Sequence, residues 1–75
     1  MDRIIDFTVF CLENYKQVHN MTGKDALEVF DKNQVFDYIR KSYDILHTTG
    51  DGYIVKDIDR YIESRVNLKN HRQRE

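Results

Sequence analysis

The chain has 75 residues, of which 40% are hydrophobic and 33% charged, and its formal net charge is −1. That length holds one small core and no second domain, and the near-neutral balance gives the whole molecule no general attraction for nucleic acid or anionic lipid. A single cysteine, Cys11, excludes an internal disulfide, so a reducing, intracellular compartment is the simplest expectation.

The first element is a helix. From Ile4 to Val18 the apolar residues fall at 4, 7, 11, 15 and 18, with Ile5, Val9 and Leu12 widening the stripe. Val9 and Phe10 on its flanks predict contact from more than one side, which would make this helix the centre of the core. The apolar run Ile4–Leu12 carries Asp6 and is too short to span a bilayer. It also lacks the basic start and cleavage site of a signal peptide. A cytoplasmic protein with no membrane association is therefore expected.

Asn20 or a neighbour ends that helix, and Thr22 is suited to cap the next, with Asp25 three residues on. This second helix should run to about Asp31 and bury Ala26, Leu27, Val29 and Phe30. Asn33 can cap a third helix, in which Val35, Ile39, Tyr43 and Leu46 recur at helical spacing, with Phe36 and Tyr38 alongside. One helix to His47 and a helix broken near Ser42 both fit the pattern. The stretch Thr48–Gly52 reads as a turn, with Gly50 or Gly52 supplying a positive φ. After it, Val55, Ile58, Ile62 and Val66 form a final stripe beside Ile54 and Tyr61, with room for a brief extended stretch at Tyr53–Val55. The fold expected is all-α: a compact bundle of about four short helices with a Gly-containing turn at 48–52. The domain spans 1–66, and 67–75 forms a basic, frayed tail. A polar residue in place of Phe7, Leu27, Ile39 or Ile58 should unfold the chain before it touches function.

Chemistry is sparse. The stretch from His47 to Asp59 imitates the second half of a calcium loop. With Gly52 at the sixth position, His47 falls first and Ile58 twelfth, where a carboxylate is required. His19, His47 and His71 have no partner at metal-ligand spacing, so no metal and no cofactor are expected. The two earlier histidines suit helix ends, where they can cap carbonyls. Cys11 lies within an apolar stripe and reads as a small buried hydrophobe rather than a nucleophile. Asp57/Asp59 and Asp31/Asp37 come with no pocket signature, and there is no phosphate-cradling glycine loop or nucleophile elbow. The chain is not expected to be an enzyme. Nucleic-acid binding is the alternative: two helices around Asn33 offer Arg40 and Lys41, and the tail adds Lys69, Arg72 and Arg74, with Asp31, Asp37 and Asp44 opposing phosphate contact. Four of the five tyrosines, Tyr38, Tyr43, Tyr53 and Tyr61, cluster in the second half, a residue type frequent at interfaces.

The segments FCLENYKQVHNMTGKDALEVFDKNQVFDYI and YDILHTTGDGYIVKDIDRYIESR resemble a family of short bacterial proteins described as a domain of unknown function. The likeness is carried by Tyr15, Lys16, His19 and Asn20, by Thr22 and Gly23, by Tyr43, Asp44, Leu46 and His47, and by Gly50, Tyr53, Ile54, Asp57, Ile58, Tyr61 and Ile62. It covers about residues 4–65. Proteins of this likeness are often encoded beside one that resembles an ADP-ribosyltransferase. The resemblance therefore implies a non-catalytic, antitoxin-like binding partner of such a neighbour. Tyr43, His47, Tyr53 and Asp57 bracket the turn that makes the family recognisable and form the candidate partner surface, with turn stabilisation as their plainer role. The partner expected is another protein or a second copy of this chain, and a purely structural, self-associating protein is a further alternative.

Overall fold

The structure, a computed structural model, describes residues 2–74, with side chains described for 2–50 and 52–66. Five helices follow one another, and the described residues contain no strand. Helix α1 spans Arg3–Val18, α2 Gly23–Lys32, α3 Val35–Lys41, α4 Tyr43–Leu46 and α5 Asp51–Arg74. Helix α1 packs against α2, α3 and α5, and α3 also touches α2, α4 and α5.

The first junction is built by local chemistry. The carboxylate of the extended residue Asp2 accepts from the Ile4 N–H at 2.9 Å, which caps the start of α1. At the other end Asn20 takes a left-handed conformation with φ 54°. The Met21 N–H then donates to the Lys16 carbonyl at 2.9 Å and the Asn20 N–H to Gln17 at 3.3 Å. This paired return closes a helix around a left-handed residue, and asparagine tolerates that conformation better than most. Thr22 opens α2 as its position predicts, its hydroxyl accepting from the Asp25 N–H at 3.1 Å.

The second junction differs from expectation. Asn33 does not open α3. Its side-chain amide donates back to the Val29 carbonyl at 2.9 Å, so it closes α2. Gln34 then makes the turn alone at φ 61°, and α3 begins without a side-chain cap. The helical pattern from Val35 to Leu46 is broken at Ser42, whose carbonyl accepts from both Ile45 and Leu46 at 3.1 and 2.8 Å.

The third junction also corrects an expectation. No glycine has a positive φ, and Gly52 already lies within α5. The turn is held by hydroxyls and an imidazole instead. Thr48 and Thr49 both donate to the Ile45 carbonyl, at 2.9 and 3.1 Å, and His47 Nδ1 lies 2.7 Å from the Tyr43 carbonyl. These groups satisfy acceptors that the end of α4 leaves open. Tyr53–Val55 is helical, not extended.

The core is drawn from every helix: Cys11 and Tyr15, Ala26 and Phe30, Val35 and Ile39, Leu46, then Ile54, Val55 and Ile58. Tyr15, Phe30 and Phe36 meet edge to face in series, at 5.1 and 5.5 Å between ring centroids, and so join α1, α2 and α3. Six apolar positions depart from the sequence reading. Ile5, Val9, Phe10, Val18, Leu27 and Val66 are exposed, because no helix covers the arcs on which they lie. Helix α1 is therefore covered along one arc only, with Cys11 and Tyr15 as its buried residues. Helix α5 continues to Arg74, while the frayed tail expected over 67–75 falls on residues whose side chains lie outside the described set.

Candidate functional site

The four residues singled out from the sequence do not form one cluster. Tyr43, which opens α4, and His47, which follows its last residue, stack face to face with centroids 4.4 Å apart, and Phe7 of α1 meets Tyr43 edge-on at 5.5 Å. A carbonyl accepts only, so the His47 Nδ1 beside the Tyr43 carbonyl carries the hydrogen. That bond and the stack fix the ring and turn Nε2 away from the helix end. For this pair the turn-stabilising role has a concrete geometry.

Tyr53 and Asp57 stand elsewhere. With Ile45 and Thr49 from the α4 side and Lys56 and Arg60 from α5, they line an open groove of about 430 Å³. Ile45 is 73% exposed and Tyr53 67%, the two most exposed large apolar side chains among the described residues. The Lys56 ammonium lies 5.8 Å from the Tyr53 ring centroid, within cation–π range. Asp57 is anchored from behind: the Tyr38 hydroxyl donates to its Oδ2 at 2.9 Å. Tyr38 is in turn stacked on Tyr61 at 4.1 Å, and the Arg65 guanidinium lies 5.7 Å from the Tyr61 ring. Burial, aided by the hydrogen bond and charge of Asp57, pushes the Tyr38 phenol up to about 12, so it stays a donor at neutral pH. One face of Asp57 is therefore committed to the fold, while the side chains of Tyr53, Lys56 and Arg60 are exposed.

Ile45, Thr49, Lys56 and Arg60 were missed in the sequence reading as site residues. Ile45 carried a signal: it is apolar yet out of phase with Val35, Ile39 and Leu46, which are buried. A second unanticipated contact lies where α1 ends. His19 caps no carbonyl with its ring. Its Nε2 lies 2.9 and 3.0 Å from the two carboxylate oxygens of Asp59 and ties the end of α1 to α5. The Tyr15 ring packs against it at 4.3 Å. Burial first, then the Asp59 charge, raises the Tyr15 phenol.

Two of the five residues of the alternative, basic set are engaged. Arg40 and Lys41 both pair with Asp37, Lys41 at 3.1 Å. The Lys41 hydrogen bond, with help from Arg40, holds the Asp37 carboxyl below its usual range. The side chains of Lys69, Arg72 and Arg74 lie outside the described residues. Cys11 is wholly buried, and burial pushes its thiol up to about 12, far from the thiolate that nucleophilic chemistry requires. Among the described residues no group of three or more His, Cys, Asp or Glu could hold a metal ion, and no helix is long and apolar enough to cross a membrane.

A protein-family model described as "Protein of unknown function (DUF3791)" matches residues 6–65. The chain belongs to this family. No curated protein and no solved structure matches it. The match spans all five helices in whole or part, from within α1 to Arg65 of α5, and includes every residue of the α4–α5 groove.

Proposed function

We propose that this DUF3791 chain is a non-catalytic, cytoplasmic protein-binding module that docks its partner at the α4–α5 groove. The observation that carries the reading is the exposure of Ile45 and Tyr53 across a groove edged by Lys56 and Arg60. An aromatic and an aliphatic side chain left in water beside paired cations form a small apolar centre with a charged rim, the general anatomy of an interface. The partner is an ADP-ribosyltransferase-like protein encoded alongside, and the module acts on it as an antitoxin does, by covering its site. Tyr43 and His47 hold the turn from which Ile45 and Thr49 project.

A co-expression pull-down with the neighbouring gene's product, at low and high salt, tests this. A complex that survives high salt and is lost with Tyr53→Ala or Ile45→Ala is the expected result. The nucleic-acid alternative predicts no complex and copurifying nucleic acid that salt strips away, with dependence on Arg40, Lys41, Lys69, Arg72 and Arg74. The engagement of Arg40 and Lys41 by Asp37 favours the protein-binding reading.

A further inference from the structure

The groove has a complement elsewhere on the same chain. On α1, Ile5 and Val9 lie one turn apart and are 60% and 54% exposed. Asp2, Asp6, Val9 and Glu13 follow at intervals of four, three and four, so the acids and the apolar pair share one face of the helix. All of these residues are exposed. Among the described residues Glu13 alone of these acids has a cationic partner, Lys16 at 3.1 Å, while Asp2 spends one oxygen on the α1 cap. The groove offers the converse arrangement. Ile45 and Tyr53 form its apolar part, and Lys56 and Arg60, again four residues apart, make no ion pair among the described residues. Asp2/Asp6 and Lys56/Arg60 are thus both spaced by about 6 Å along their helix axes, at 1.5 Å per residue.

We propose that the chain self-associates through these two surfaces, α1 of one copy seated in the α4–α5 groove of a second copy. Ile5 and Val9 cover Ile45 and Tyr53, and the acids of α1 face Lys56 and Arg60. The proposal rests on the groove being a protein-docking surface, as in the functional reading, but names an occupant present on the chain itself. The contact is heterologous: each copy that joins leaves one face and one groove open. Association therefore increases with concentration and weakens with salt, since the charges on both sides are exposed.

Sedimentation of the purified chain alone tests this at low salt, from about 10 µM to about 1 mM, a range that spans weak protein contacts. The unmodified chain should show an average mass that rises with concentration. K56E/R60E and D6K/E13K should each stay monomeric, and their equimolar mixture should regain association, because the reversed groove of one variant then meets the reversed α1 of the other, and the unaltered α1 meets the unaltered groove. Asp2 is left in place so that the α1 cap persists, and circular dichroism melts confirm that each variant folds. Ile45→Ala, at an exposed position, supplies a variant with little folding risk and should weaken association. A chain that is monomeric at the highest concentration overturns the proposal, as do charge-reversed variants that associate like the parent or a mixture that stays monomeric. A failed pull-down with self-association intact overturns the neighbour as partner and leaves the groove a docking surface, whereas a monomeric chain that still captures the neighbour overturns self-association alone.

Discussion

Phe30 and Tyr53 are both large aromatic residues on amphipathic helices, and the fold treats them oppositely. Phe30 is fully enclosed, with Tyr15 on one edge and Phe36 on another, at the meeting of three helices. Tyr53 stands on the first turn of α5, facing Ile45 of α4 and Thr49 of the loop across the groove, and it is two-thirds exposed. Aromatic content alone does not separate a core from a docking surface in so small a domain. The number of helices that converge on the position does. A 75-residue chain has few helices to converge, so much of its apolar surface stays outside.

The widest break of that comparison is at its buried end. Phe30→Ala should cost about 3–5 kcal/mol, a large share of what holds a small domain together, and Ile39→Asn or Ile58→Asn should leave the chain unfolded. Leu27→Asn, despite lying three residues from Phe30, should change stability by no more than about 0.5 kcal/mol, as at an ordinary surface site. Thermal and urea melts followed by circular dichroism measure both. Equal losses at Phe30 and Leu27 would contradict the exposure seen here.

Between those extremes lies Tyr38, half-buried under the groove. Tyr38→Phe removes the hydrogen bond to Asp57 and should cost about 1 kcal/mol, the charged-acceptor value reduced for partial exposure. It should also alter alkaline stability. The Tyr38 phenol is raised in the fold from 10.0 to about 12 and the Cys11 thiol from 9.0 to about 12. Both are raised, so their contributions are complete below the unfolded values of 9.0 and 10.0, and are lost as pH climbs through those values toward about 12. Urea melts at stepped pH should show stability falling above about pH 9, with the onset moved upward in Cys11→Ala. A flat profile across that window would remove the buried thiol and phenol from the account.

The third test concerns the tie between α1 and α5. His19→Ala and Asp59→Ala, with the double variant, should give a coupling of about 0.2–1 kcal/mol, since both side chains are partly solvated. Coupling near zero would reduce the contact to a geometric coincidence.

What was legible in the sequence follows the same division between local and converging contacts. The Thr22 cap and the stop at Asn20 were readable because each bond spans a few residues and depends on one side chain's chemistry. Helix spacing named all ten buried core residues, among them Cys11, Phe30, Ile39 and Ile58. It could not say which arcs beyond them another helix would cover, so Ile5, Val9, Phe10, Val18, Leu27 and Val66 belong to apolar stripes yet face out. The candidate surface was half legible. Tyr53 and Asp57 do line the groove, and Lys56 and Arg60 share their face of α5 at helical spacing, but Ile45 and Thr49 join them only through the approach of α4 to α5. His19 and Asp59 are forty residues apart, and no periodicity links them. The glycines misled most directly, because a Thr-Thr-Gly-Asp-Gly string reads as a positive-φ turn while threonine hydroxyls hold the actual one.

The smallest predicted effect sits at the residue that sequence reasoning gave no special conformation. Gln34 alone reverses the chain between α2 and α3 at φ 61°, a region where a Cβ crowds the following carbonyl oxygen. Its own carbonyl accepts from the Tyr38 N–H at 3.1 Å and from the more distant Tyr61 hydroxyl, so the conformation is fixed from both sides. Its side chain is exposed and makes no capping bond. Gln34→Gly removes the strained Cβ, worth about 1–2 kcal/mol, while glycine's freedom in the unfolded chain returns about 0.5–1 kcal/mol of that gain. The variant should therefore be more stable by about 0.5 kcal/mol, a rise of a few degrees in Tm for a domain of this size. Gln34→Val, which keeps the Cβ and branches it, should move Tm the other way. If glycine also lowers Tm, the junction is held by something other than its backbone, and the α2–α3 turn would belong with the exposed, weakly determined end of the molecule rather than with the core.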